Sequence, residues 1–179
     1  MEVISLTLQL TQKERMLLED QKSHEQLCIQ KYKNYAQQAN DPQLKQLFNT
    51  YASQEQQHLD TVNQILNGQI PQVGQGQGQG SQGQQQNQTS QNTQQMNQQT
   101  QASGQTQSSN AGMTDNNDYN LCNDVLATEK YVSSTYNTTI FECTNSQVRQ
   151  ALNHIQKEEQ QHGEGIFNYM RNQGMYSPK

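Results

Sequence analysis

Glu55-Gln-Gln-His58 and Glu159-Gln-Gln-His162 are two copies of one pattern, Glu-x-x-His, set 104 residues apart. On an α-helix, residues three apart share a face, so a carboxylate and an imidazole at this spacing can converge on one ion. Thirty residues before each pattern stands a further glutamate, Glu25 or Glu129. Four carboxylates and two imidazoles make a mixed oxygen and nitrogen donor set of the kind that suits iron or manganese. One Glu-x-x-His alone is weak evidence, because so short a motif recurs by chance. Two in register, each with its upstream glutamate, are much harder to obtain by accident. A second reading stays open: a duplicated hairpin keeps such residues by descent, and protonated glutamates can hydrogen-bond to the histidines, or to Tyr32 and Tyr136, with no metal.

Four helices are needed to bring these six side chains together, and each has its own signal. Thr11-Gln-Lys-Glu14 is a capping box that opens the first. Leu18, Glu25, Tyr32 and Ala39 then recur every seven residues, with Gln21, Cys28 and Tyr35 between them, drawing one stripe. Asn40-Asp41-Pro42 ends this helix and starts the next, with aspartate as N-cap and proline in the first turn. Leu44, Phe48, Tyr51, Glu55, His58, Val62 and Ile65 share a face of the second helix, which Gly68 closes. Leu121 to Cys143 and Val148 to Tyr169 repeat the plan. Over Asp20–Gln69 against Asp124–Gln173 an ungapped alignment gives 11 identities in 50 positions, among them all three candidate ligand pairs and Tyr32/Tyr136. The spacing predicts an internal duplication of a two-helix unit. All six donors fall on the apolar seam, where a charge costs several kcal/mol unless it is paired or metal-bound. Tyr32 and Tyr136 fit either hydroxyl donors to the ligands or, more commonly, core aromatics with a polar tip. His24 and His154 flank the seam and read as surface or boundary residues.

Composition separates the two arms from what joins them. Of 179 residues 37 are glutamine, and between Asp60 and Asp115 lie 54 residues without a charge. The expected organisation is a first hairpin over 11–68, a low-complexity Gln-rich connector over 69–117 and a second hairpin over 118–174. Such a tract lacks the apolar residues for a packed core and is expected to be disordered. It is about four times longer than the roughly 12 extended residues that a return along one helix requires. The excess is either slack, which also permits a domain-swapped dimer, or a self-associating segment. No apolar run approaches a membrane span, the start lacks the basic and long apolar regions of a signal peptide, and a net charge of −5 without a basic cluster argues against nucleic acid or an anionic membrane as partner. Cys28, Cys122 and Cys143 have no metal-type spacing and read as small buried side chains of a reducing compartment.

The fold class expected is all-α: a four-helix bundle of two duplicated hairpins. One Glu from each of two helices and a Glu-x-x-His from each of the other two is the pattern of ferritin-like di-iron and di-manganese proteins. The second arm, from Tyr119-Asn-Leu-Cys-Asn-Asp-Val-Leu-Ala-Thr-Glu-Lys130 through Thr144–Leu152 to Asn168–Tyr176, resembles the spore coat protein F family of endospore-forming bacteria. The first arm, from Leu17-Leu-Glu-Asp-Gln-Lys22 onward, looks like a second, more ferritin-like copy. The resemblance implies a ferritin-like bundle, synthesis in the mother-cell cytoplasm, deposition in the spore coat and a chiefly structural role among other coat proteins or copies of itself. It is also similar to rubrerythrins and manganese catalases, whose pattern falls on Glu25, Glu55, His58, Glu129, Glu159 and His162. The alternative is thus a redox protein with two Fe or Mn ions that protects against peroxide.

Overall fold

A computed structural model of the chain describes residues 8–71 and 116–176. Their elements are four helices: α1 (Gln12–Gln38), α2 (Pro42–Leu66), α3 (Asn116–Glu142) and α4 (Ser146–Asn172). The expected all-α bundle of two hairpins is what forms. The greater part of the Gln-rich connector, 72–115, lies outside the described residues.

Local signals set the helix ends. The Thr11 side chain accepts from the Glu14 backbone N–H while the Glu14 carboxylate accepts from that of Thr11, completing the capping box. Asp41 caps α2 with Pro42 in its first turn, and Asn145 caps α4. Gly68 and Gly174 follow α2 and α4 at φ of 77° and 68°, a left-handed conformation that glycine adopts without a Cβ penalty. The offset of 104 read from the sequence carries α1 onto α3 end for end, and Pro42 onto Ser146. At its far end α4 runs two residues beyond the image of α2, and its closing glycine is displaced with it.

Each helix packs antiparallel to two neighbours, α1 on α2 and α3, and α4 on α3 and α2. Two carboxylates at equivalent positions tie the hairpins together. Glu14 of α1 accepts from the backbone and hydroxyl of Thr144 in the α3–α4 turn at 2.7 and 3.0 Å; Asp118 of α3 accepts from the backbones of Asn40 and Asp41 in the α1–α2 turn at 2.8 and 2.9 Å. Burial pushes the Glu14 carboxyl up, but the hydrogen bonds from Thr144 and Thr11 outweigh it and hold it below its ordinary value. Between α1 and α3, the buried Gln21 side chain donates to Thr139 and accepts from Thr135.

The apolar core lies in two clusters. One gathers Leu18, Val62, Ile65, Ile140, Val148 and Leu152; the other gathers Leu44, Phe48, Leu121, Val125, Ile166 and Met170. Full burial of each such side chain stabilises by about 1.5–3 kcal/mol. On α2, α3 and α4 the candidate ligands fall in the interval between these clusters, and on α1 Glu25 lies between Leu18 and Cys28 of the first, so apolar side chains flank the polar layer on both sides.

A candidate di-metal centre between the hairpins

The polar layer brings all six expected donors together. Glu25, Glu55, Glu129 and Glu159 are 0, 0, 2 and 0% exposed, and His58 and His162 are 2 and 1% exposed. The histidines cross between hairpins: His58 Nδ1 lies 2.9 Å from Glu159 Oε1, and His162 Nδ1 lies 2.9 Å from Glu55 Oε1. Two overlapping groups of ligand atoms result, Glu25, Glu55, His58 and Glu159 in one, Glu55, Glu129, Glu159 and His162 in the other, each with its atoms within 4.8 Å of one another. Glu55 and Glu159 belong to both groups. Each of the four glutamates keeps one oxygen, Oε2, buried and without a hydrogen-bond partner. Leaving such an acceptor unsatisfied costs about 1–3 kcal/mol, and more for a charged group. Four in one layer, beside two imidazoles, form a donor set that a pair of hard or borderline cations would satisfy.

The electrostatics agree with a layer short of positive charge. Burial pushes the Glu25 and Glu159 carboxyls up to about 7 and raises Glu55 and Glu129 as well. The phenols resolve the two roles expected of the tyrosines, for they take both. Tyr32 and Tyr136 are buried core aromatics, and each hydroxyl donates to the lone glutamate of the opposite hairpin, Tyr32 to Glu129 and Tyr136 to Glu25. His24 is partly buried edge-on against Tyr131, and His154 is exposed.

Sequence reasoning missed the layer outside the donors, and there the two halves differ. His58 Nε2 meets the Glu158 carboxylate at 2.9 Å, whereas His162 Nε2 meets the Gln54 amide oxygen at 3.1 Å. Glu158 and Gln54 are equivalent under the 104-residue offset. Burial pushes His58 down, yet Glu158, Glu159, Glu25 and Glu55 together lift it well above its ordinary value; burial leaves His162 lowered to about 4. The Tyr51 ring covers His162 at 4.3 Å between centroids, and its hydroxyl sits where a Cβ on Gly165 would be, 1.8 Å away. The equivalent pair in the other half is Ile155 and Thr61. The offset alone, applied to every neighbour of the ligands, would have exposed these contrasts.

Residues 117–179 match the family model of the Coat F domain. The second hairpin is a Coat F domain. The resemblance read from Tyr119 onward therefore holds for this hairpin. The Coat F match covers α3 and α4, so Glu129, Glu159 and His162 lie inside it and Glu25, Glu55 and His58 in the hairpin that duplicates it. No curated protein and no solved structure matches the chain. No described helix is long and apolar enough to cross a membrane.

Proposed function

We propose that the protein is a structural component of the bacterial endospore coat whose bundle is fastened by two iron or manganese ions. The Coat F domain supports the place in the coat. The observation that carries the metal reading is the set of four buried Oε2 atoms without a hydrogen bond on Glu25, Glu55, Glu129 and Glu159, each facing a histidine Nδ1 at 3.5–3.9 Å. In this reading Glu25 and His58 would hold one ion, Glu129 and His162 the other, and Glu55 and Glu159, which belong to both groups, would be shared. A bound pair of such ions supplies the positive charge the layer lacks and has redox capacity of its own. The protein's residues do the rest: Tyr32 and Tyr136 fix the terminal carboxylates, Glu158 and Gln54 orient the imidazoles, and the apolar clusters exclude bulk water. Because each candidate group draws residues from both hairpins, metal binding would be linked to their association. The partners are other coat proteins or further copies of this chain, reached from the mother-cell cytoplasm.

Two measurements test this. Mature coats extracted from spores should contain the protein, and protein purified after growth with both metals should carry close to two Fe or Mn per chain. Its absence from the coat fraction would remove the coat role, and a clearly sub-stoichiometric metal content would remove the ions. Rapid loss of hydrogen peroxide on adding the loaded protein would favour the peroxide-consuming alternative.

A further inference from the structure

A cavity of about 590 Å³ opens beside the polar layer on the α3–α4 side, and Glu129 and Glu159 are among the residues that line it. Its other walls include Leu126, Ser133, Gly163 and Phe167. Gly163 lies directly over one ligand, since a Cβ added there would sit 3.9 Å from the Glu129 Cβ and 3.7 Å from Leu126 Cδ1. The duplication supplies the control. At the positions equivalent to Gly163 and Ser133 the first hairpin has Leu59 and Ile29, 9 and 8% exposed, so two large side chains fill the space that a hydrogen atom and a hydroxymethyl group leave in the second.

We propose that the bundle is one-sided: small uncharged molecules reach the carboxylate layer past Gly163 and Ser133, between α3 and α4, while Leu59 and Ile29 close the equivalent route between α1 and α2. The class of molecule follows from the lining. Leu126, Phe167 and the bare Gly163 backbone present largely carbon, and the charged residues on the walls, Lys130 and Glu164 beside Glu129 and Glu159, are of both signs, so the lining selects neither anions nor cations. The volume is within the range of small-molecule sites. The inference gives the proposed centre a direction of access, but the cavity, and the buried Leu59 and Ile29 in the other half, do not depend on metal.

Dissolved dioxygen is a suitable probe, because its paramagnetism relaxes the methyl groups it approaches. The experiment uses methyl-labelled full chain with no metal added, so failure of the metal reading leaves it intact. Ile166 and Val62 are a matched pair, both 0% exposed, at equivalent positions three residues after Gly163 and Leu59. Under oxygen pressure the Ile166 methyls should relax several-fold more than those of Val62, and Gly163→Leu should bring Ile166 down to the Val62 level. Gly163→Ala, whose Cβ meets ordinary contacts, should give an intermediate value and serves if the leucine variant fails to fold. Equal relaxation of the two methyls, or an Ile166 effect unchanged in the folded variants, would overturn the proposal.

Discussion

The two hairpins share their donors and differ in what surrounds them. Glu25, Glu55 and His58 map onto Glu129, Glu159 and His162, and the phenols of Tyr32 and Tyr136 cross over symmetrically. Around them the correspondence fails: Gln54 is replaced by Glu158, Tyr51 by Ile155, Thr61 by Gly165, and Leu59 by Gly163. The two histidine environments are thus alike in their inner residues and unlike in basicity and cover. The difference teaches that the inner set is a unit requiring both hairpins, whereas each outer contact serves one position.

That comparison is most easily broken at the shared carboxylates. Glu55→Ala or Glu159→Ala should abolish the whole metal-dependent gain in melting temperature, while Glu25→Ala or Glu129→Ala should remove about half. Each site saturated at 100 times its dissociation constant stabilises by about 2.7 kcal/mol, so the two classes are separable by calorimetry with and without metal. Equal losses from all four variants would mean that Glu55 and Glu159 do not bridge.

Much of this architecture is legible without coordinates. Helix ends follow from Thr11, Asp41-Pro42 and Gly68, because caps and φ-restricted residues act locally, and the six donors follow from a period that places them on the seam. What stays hidden depends on contacts between helices whose relative rotation no periodicity fixes. Glu158 has no place in the Glu-x-x-His pattern, yet its carboxylate reaches His58 of the other hairpin. Tyr32 reads as core or donor, and only the crossing of α1 and α3 makes it both.

The next effect in size concerns cover. Gly165→Ala places a Cβ against the Tyr51 hydroxyl and should cost about 1–3 kcal/mol of stability in chemical denaturation, as overpacking does. Adding Tyr51→Ile, the residue of the other half, should recover most of it; no recovery would show that the strain lies elsewhere.

Basicity gives a smaller one. Glu158→Gln makes the His58 position resemble that of His162 and should weaken one of two binding steps by about 10-fold in a calorimetric titration, the other being unchanged. Both steps weakening together would contradict the assignment of Glu158 to one position.

The smallest effect is a slope with pH. Burial raises Glu25 in the folded metal-free protein to about 7, above its unfolded value, so the folded state holds the extra proton between about pH 4.5 and 7. Its contribution to stability is present at the acid end and lost as pH rises through that window. Metal-free wild type should therefore lose more melting temperature than Glu25→Gln between pH 5 and 7.5; parallel curves would show that Glu25 is not raised.

The central claim is that one centre is shared by two hairpins, and the spectrum of the full chain loaded with Mn(II) tests it most directly. At two equivalents per chain the account predicts the electron paramagnetic resonance signal of an exchange-coupled pair, lost in Glu55→Ala. Two isolated six-line ions, or no binding, would contradict it.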